Sequence, residues 1–269
     1  MALIQVNFIS ECLMRTVTLN AVIPFDKIRM LGAQKKETKS FKTLYLLHGV
    51  FGNYTDWVSG TCIQRWAEDK DLAVIMPCGE NHFYVDCQAN GERFSEFIGR
   101  ELPEKMRALF PLSEKREDTF IGGYGAITNG LKYSETFGRI AGLSSGLILD
   151  RLESAEPELT ERVFGPDFKK TIFGDPIIGS DKDYHALAKR LADSEKPLPE
   201  IYLCCGTEDD LLEANRAYAR ELKDLGYPVS YEEGPGGHGW EFWNTYIKKV
   251  VDWLPLEKTE SIHSGHVQN

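Results

Sequence analysis

The chain has 269 residues, a length at which one α/β domain can bury a complete hydrophobic core. Apolar residues make up 42% of the chain and charged residues 27%, which is ordinary for a soluble globular protein. The net charge of −10 argues against nucleic acid or an anionic membrane surface as a partner, because both require a basic surface.

The six cysteines are scattered along the chain, and no two of them form a Cys-x-x-Cys pair. This spacing gives little support to a zinc site or a thioredoxin-like redox site, and it favours a reducing, cytoplasmic setting. The N-terminal segment lacks a basic stretch followed by a long apolar one, so we predict no signal peptide. No apolar run approaches the length of a membrane span.

Alternating apolar residues predict two N-terminal strands, at Ile4–Phe8 and Val17–Ile23, followed by a polar loop at 29–41. Short apolar runs typical of buried parallel strands then recur at Leu44–Leu47, Leu72–Met76, Phe120–Ile121, Ile140–Leu143 and Ile201–Cys205. Helical spacing of apolar residues predicts helices at Phe94–Phe110, Leu211–Leu225 and Phe242–Leu254. Strands that alternate with helices indicate an α/β fold with a doubly wound, mostly parallel sheet.

We predict a single domain over residues 1–256 and a polar C-terminal tail over 257–269. Residues 148–199 are irregular and rich in charge and proline, which predicts an insertion that caps the active-site edge of the sheet. In folds of this kind, ligands bind at the carboxyl ends of the strands.

The first motif at a strand end is the run from Leu46 to Asn53, in which an apolar strand enters His48-Gly49-Val50-Phe51-Gly52. Glycines allow the backbone to turn so that an N–H group, that of Val50, points at a developing oxyanion. The alternative is an ordinary glycine turn after a strand. Of the histidines, His48 is expected to support this loop, and His82, His185, His263 and His266 have no comparable context.

The second motif is the acidic run Glu208-Asp209-Asp210, which follows a strand and precedes a helix. These carboxylates could cap the helix, because acidic residues favour its first turn. An acid in this place can instead orient a histidine and stabilise its charged form. Spacing alone does not distinguish among the three.

The third motif places His238 among four glycines, between the predicted last strand (Val229–Tyr231) and the last helix. A histidine that was only packed in the core would not require so many glycines around it. The acid precedes the histidine by 29 residues near the C-terminus, which is the chain order of α/β hydrolases.

The chain resembles the esterase D or S-formylglutathione hydrolase family, and within it the small bacterial tributyrin and feruloyl esterases. The resemblance covers residues 5–255, and it rests on the runs 10–13, 46–49, 101–103, 206–209 and 232–243. It implies the α/β-hydrolase fold and carboxylesterase activity. It also implies that Asp209 is the acid, that His238 is the base and that Val50 donates to the oxyanion.

The nucleophile of that family lies in a Gly-x-Ser-x-Gly turn after the strand at 118–122. Here the strand continues directly into Gly122-Gly123-Tyr124-Gly125-Ala126, so that about five residues, the serine among them, are missing relative to the family. The hydroxyls of Tyr124 and Thr128 are not at the position of the serine. Two interpretations stay open: the esterase has lost its nucleophile by deletion, or the molecule carries residues that this sequence omits.

A Gly-x-Ser-x-Gly pattern does occur at Gly142–Gly146, and a third interpretation is that Ser144 has taken over as nucleophile. Its context argues against this role, because it follows the strand after the one that should carry the nucleophile. We therefore interpret Ser144 as a decoy, and the nucleophile stays unassigned.

The resemblance implies acyl transfer to water from short-chain or aryl esters such as hydroxycinnamates, with no metal or organic cofactor, in a homo-oligomer. Aromatic side chains could line the ester pocket, although each could equally belong to the core: Phe51, Trp57, Tyr84 and Trp240. Two other functions stay open. One is a non-catalytic relative that binds an ester-like ligand or a partner, and the other is acyl transfer to an acceptor other than water.

Overall fold

The computed structural model describes residues 1–26, 40–87, 89–147, 149, 163–165 and 167–257. Most of the predicted loop at 29–41, residues 148, 150–162 and 166 of the predicted cap at 148–199, and nearly all of the C-terminal tail lie outside these ranges. The predicted α/β fold is confirmed in the part of the chain that is described.

One sheet of eight strands forms within the described ranges, in the spatial order β1-β2-β4-β3-β5-β6-β7-β8. Strand β2 pairs antiparallel with β1 and β4, and every other neighbouring pair is parallel. The strands are β1 (Ala2–Ser10), β2 (Arg15–Ile23), β3 (Lys42–Leu47), β4 (Leu72–Pro77), β5 (Thr119–Gly123), β6 (Arg139–Leu143), β7 (Glu200–Gly206) and β8 (Val229–Gly234).

Helices connect the strands and cover both faces of the sheet. They are α1 (Asp56–Gly60), α2 (Ile63–Asp69), α3 (Phe94–Glu96), α4 (Leu102–Leu109), α5 (Ala126–Lys132), α6 (Tyr184–Ala192), α7 (Leu212–Asp224) and α8 (Trp240–Trp253). A π-helical turn at Phe97–Glu101 joins α3 to α4, so the single helix predicted over 94–110 contains an irregular turn. A second π-helical turn spans Lys169–Phe173, and a 3-10 turn spans Arg116–Asp118.

Two hydrophobic cores lie on opposite faces of the sheet. Successive residues of β3 contribute to each in turn, with Leu44 and Leu46 in one core and Tyr45 and Leu47 in the other. This alternation follows from the period of two along a strand, and it explains why the run is apolar at every position.

Differences from the predicted elements are confined to short segments. Helices α1, α2, α5 and α6 have at most nine residues each and were not singled out by the apolar pattern. Strand β8 extends beyond the predicted Val229–Tyr231 to Gly234, because its pairing with β7 continues as far as Gly206 opposite Gly234. None of the helices in the described part of the chain is both long and apolar enough to cross a lipid bilayer.

Candidate active site

The loops that follow β7 and β8 bring an acid and a histidine together. Nδ1 of His238 lies 3.0 Å from Oδ2 of Asp209. The Asp209 side chain is 1% exposed, whereas that of His238 is 50% exposed. The histidine therefore joins a buried carboxylate to the solvent-accessible edge of the sheet, the arrangement in which a carboxylate fixes the tautomer of a basic imidazole.

Backbone hydrogen bonds hold these two loops in register. The N–H of Thr207 donates to the Gly234 carbonyl, and that of Glu208 donates to the Gly236 carbonyl at 3.1 Å. The Gly236 N–H donates in return to the Glu208 side chain at 2.6 Å. The structure thus pairs His238 with Asp209 and leaves Glu208 to fasten the histidine loop, a role that the sequence pattern did not indicate.

The Asp209 carboxylate is held in its charged form. Burial pushes its pKa upward, but three effects together outweigh burial and lower the pKa below its ordinary value. They are donation from the Leu211 N–H at 2.9 Å, the nearby Ser144 hydroxyl, and the interaction with His238. A carboxylate that stays ionised can stabilise a positive charge on the imidazole.

The loop after β3 has the geometry of an oxyanion-binding turn. His48 is buried, and Nε2 of its ring accepts from the Gly79 N–H at 2.8 Å while Nδ1 faces the Gly49 carbonyl at 2.7 Å. Because Nε2 accepts a hydrogen bond, the ring is neutral and carries its proton on Nδ1, and burial lowers the pKa of His48 in the same sense. His48 therefore supports the loop, as its context in the sequence suggested.

Within the described residues, no hydrogen bond engages the N–H of Val50. The next N–H along the chain, that of Phe51, donates to the Asn81 side chain at 2.9 Å, and Phe51 has a left-handed backbone with φ of 64°. The turn thus leaves the Val50 N–H available to an oxyanion, whereas Asn81, a residue that the sequence pattern did not single out, secures the turn.

No serine stands in the turn between β5 and α5. The strand ends at Gly123, and Tyr124 and the left-handed Gly125 (φ of 74°) lead directly into the helix. The Tyr124 ring packs 5.6 Å from the ring of Phe83, edge to face. The place where this fold presents its nucleophile is therefore occupied by a glycine turn and a tyrosine ring.

Ser144 directly follows β6, and its hydroxyl lies near the carboxyl of Asp209. It is 3% exposed, its N–H donates to the Cys204 carbonyl at 2.8 Å, and its hydroxyl is close enough to Asp209 to affect the carboxyl pKa. The hydroxyl makes no well-formed hydrogen bond to any described residue. Its backbone is left-handed, with φ of 45°, which is also the conformation of a nucleophile turn.

The aromatic residues proposed to line an ester pocket lie in different environments. Phe51 is 71% exposed and stacks on Phe164 at 5.6 Å. Trp57 is buried, and its indole N–H donates to the Leu47 carbonyl at 2.9 Å, which places it in the core beneath the loop after β3. Trp240 packs edge to face against Trp57 and is half-buried, and Tyr84 is buried with its hydroxyl bonded to the His48 carbonyl.

The strand order and the acid–histidine pair at the carboxyl edge define the class of protein as an α/β hydrolase. The family profile described as putative esterase matches residues 27–254, and the chain belongs to this family. An acetyl esterase from Caldicellulosiruptor saccharolyticus is 41% identical to it over 261 residues, which cover 94% of this chain and 98% of that protein.

Solved structures agree with this assignment. The substrate-bound fluorophosphonate-binding serine hydrolase F of Staphylococcus aureus superposes with a TM-score of 0.81 at 27% identity, covering 94% of this chain and 98% of the other. An S-formylglutathione hydrolase from the same organism has a TM-score of 0.78 at 29% identity, with the same coverage of both chains. The chain is thus a carboxylic-ester hydrolase by class.

Proposed function

We propose that this chain hydrolyses short-chain carboxylic esters by direct attack of water, with His238 as general base and Asp209 as the group that orients it. The observation that carries the proposal is the 3.0 Å contact between Nδ1 of His238 and the buried Asp209 carboxylate. Because the carboxylate holds the proton on Nδ1, the lone pair of Nε2 is free to accept a proton.

The reaction then proceeds as follows. Nε2 of His238 takes a proton from water while the water oxygen attacks the ester carbonyl carbon. The tetrahedral oxyanion accepts a hydrogen bond from the Val50 N–H. When the intermediate collapses, the C–O bond to the alcohol breaks, and Nε2 returns the proton to the departing alkoxide. The products are a carboxylic acid and an alcohol.

Three observations favour water over a serine as the nucleophile. The turn after β5 has no serine, and Ser144 is buried with its hydroxyl near the Asp209 carboxyl. In addition, none of the described residues donates a hydrogen bond to Nε2 of His238. We expect slow turnover, on the order of the 10³- to 10⁴-fold enhancement that serine hydrolases retain when one triad member is removed.

Short acyl groups are favoured for two reasons. A relative with 41% identity and near-complete mutual coverage is named an acetyl esterase. The groove beside Gly49 and Val50 is also narrow, and Phe83, Tyr84 and Tyr124 line it.

The test combines hydrolysis of p-nitrophenyl acetate with labelling by a fluorophosphonate. We expect hydrolysis above buffer that is lost in His238→Ala and kept in His185→Ala. His185 is a matched control, because its Nδ1 lies 2.5 Å from the Glu221 carboxylate on a different part of the surface. Mass spectrometry of the intact, unlabelled protein establishes that the chain has the 269 residues of this sequence and no others.

The labelling step separates this mechanism from its competitors. We expect no fluorophosphonate adduct and unchanged hydrolysis in Ser144→Ala. An adduct that peptide mapping places on Ser144, together with loss of activity in Ser144→Ala, would establish serine catalysis instead. Hydrolysis no faster than buffer would favour a ligand-binding relative without catalysis.

We also propose a reducing, cytoplasmic setting, which is supported by the six cysteines, all of them free thiols. The homo-oligomer that the family resemblance implies stays a prediction, and light scattering during size-exclusion chromatography tests it. Among the described residues, no three His, Cys, Asp or Glu side chains come together as a metal site.

A further inference from the structure

A second cleft, partly open to solvent, borders the turn between β5 and α5. Gly123, Tyr124 and Gly125 form one wall of it. Phe83 and Tyr124 also line the groove beside Val50, so the two spaces are neighbours that share these two residues. We call this second space the Lys182 cleft, after the one lysine that lines it.

The walls of the Lys182 cleft combine apolar side chains with polar groups. Apolar side chains from five positions contribute: Val85, Ile127, Leu147, Leu149 and Phe173. The polar residues of the lining include Thr128, Ser145 and Lys182. The Ser145 hydroxyl is buried and has no hydrogen-bond partner among the described residues. An apolar cleft with a few convergent donors is typical of a small-molecule site.

Lys182 forms no ion pair with a carboxylate in the part of the chain that the structure describes. Its ammonium donates to the Phe173 carbonyl, and no carboxylate within the described residues lies at ion-pair distance from it. Asp86 and Asp181 attract Lys182 through their charges, but both form ion pairs with Lys132 instead, at 2.9 and 2.5 Å.

A half-buried ammonium without a counter-ion is unfavourable, because burial removes its hydration. This burial lowers the pKa of Lys182 despite the attraction of Asp181. An ammonium has three N–H donors, and the Phe173 carbonyl occupies one of them. A carboxylate that entered the Lys182 cleft would supply the missing charge and accept the remaining donors.

We propose that the Lys182 cleft binds the carboxylate end of a short aliphatic ester, so that the preferred substrates are monoesters of small dicarboxylic acids. Lys182 holds the free carboxylate, and Ser145 and Thr128 line the same cleft. The substrate class rests on the proposed ester hydrolysis at Asp209 and His238, whereas binding of the carboxylate does not. Lys182 is a specificity-determining residue and takes no part in the chemistry.

The binding test uses ketones that ester hydrolysis cannot consume. Levulinate carries a ketone where the monoester of succinate has its ester carbonyl, and levulinamide is its neutral counterpart. Calorimetry should show that levulinate binds more tightly than levulinamide. Lys182→Met should weaken levulinate binding on the order of 10- to 100-fold, the range of a charged hydrogen bond, and leave levulinamide unchanged.

Two further variants serve as controls. Lys182→Arg should keep most of the preference for levulinate, because it keeps the charge. Lys189→Met removes an exposed lysine of α6 and should have no effect. Equal affinity for levulinate and levulinamide in the unmodified protein would overturn the proposal, and this comparison needs no variant. So would a Lys182→Met protein that melts at a lower temperature but binds levulinate normally, since Lys182 would then only fasten the Phe173 carbonyl.

A kinetic comparison links the cleft to substrate choice. Monomethyl succinate should have a lower KM than methyl levulinate, and Lys182→Met should remove this difference with little change in kcat. If levulinate binds as expected but neither ester is hydrolysed, the proposed function fails and the carboxylate site stands. If both esters are hydrolysed equally and levulinate does not bind, the carboxylate site fails and the proposed function stands.

Discussion

Replacement of Asp209 by Asn tests whether the buried acid sets the tautomer of His238. Oδ2 of Asp209 accepts from Nδ1 of His238, and Oδ1 accepts from the Leu211 N–H. An asparagine can keep only one of these two acceptors. If its oxygen stays with Leu211, its amide group donates towards Nδ1, and the proton of the imidazole moves to Nε2.

The imidazole would then have no lone pair on Nε2, the atom that faces the substrate. General-base catalysis contributes about 10²- to 10⁴-fold to a reaction, so we expect Asp209→Asn to lower kcat/KM for p-nitrophenyl acetate by a factor in that range. The neighbouring exposed acid supplies the control, since Asp210→Asn alters charge at almost the same place. It should reduce kcat/KM by less than about threefold, as a change of local charge alone would.

The same substitution has a consequence for stability. The pKa of the Asp209 carboxyl is lower in the folded protein than its ordinary value, so its ionisation stabilises the fold above about pH 3.9. This contribution is lost as the pH falls through the lower folded pKa. The difference in unfolding free energy between the unmodified protein and Asp209→Asn should therefore shrink on acidification. Urea unfolding at several pH values measures it.

One result would refute the reasoning about the pair. A folded Asp209→Asn protein with the kcat/KM of the unmodified chain would mean that His238 does not depend on Asp209 as a base. Circular dichroism and the melting temperature establish that the variant is folded.

Two predictions concern the framework of the site. Gly123→Ala should destabilise the fold by several kcal/mol, because its Cβ would lie 2.0 Å from the Leu47 carbonyl oxygen at a φ of 88°. Gly226→Ala, at a φ of 86° with open space around it, should lower the unfolding free energy by only about 1 kcal/mol, and equal losses in urea unfolding would contradict the clash. Glu101→Gln should cost about 1.5–3 kcal/mol, because the carboxylate accepts one hydroxyl and two N–H groups from the turn between β1 and β2. Those bonds outweigh burial and lower the pKa of Glu101, so the cost should diminish in acid, whereas the exposed Glu104→Gln should be neutral at every pH.

The sequence was most informative where a local pattern has a direct structural cause. Apolar runs mark β3 to β7 because each strand is buried on both faces, and the helix predicted over Leu211–Leu225 is found at Leu212–Asp224. The glycines around His238 mark a loop because they permit backbone turns that other residues resist. Short helices such as α1 and α5 were not predicted, because five to seven residues are too few to show a helical period.

The sequence predicted only part of the candidate site. The family resemblance, and not the spacing, favoured Asp209 over its two acidic neighbours. In the sequence, Trp57 was a candidate for either the pocket or the core. The structure places it in the core, where its indole N–H donates to the Leu47 carbonyl. Lys182 gave no signal at all, because a lysine in a charged segment looks like a surface residue.

The sequence by itself determined the α/β class of the fold, the position of His238 beyond the last strand, and the lack of a serine in the turn after β5. These features depend on residues that are neighbours along the chain, so composition and spacing express them directly. Only the tertiary structure decided that Asp209 faces the histidine, that the Ser144 hydroxyl lies near the Asp209 carboxyl, and that Lys182 lines a cleft beside the turn. The physical reason is that the sheet brings together strand ends that are separated by tens of residues, and their mutual orientation follows from packing across the whole domain.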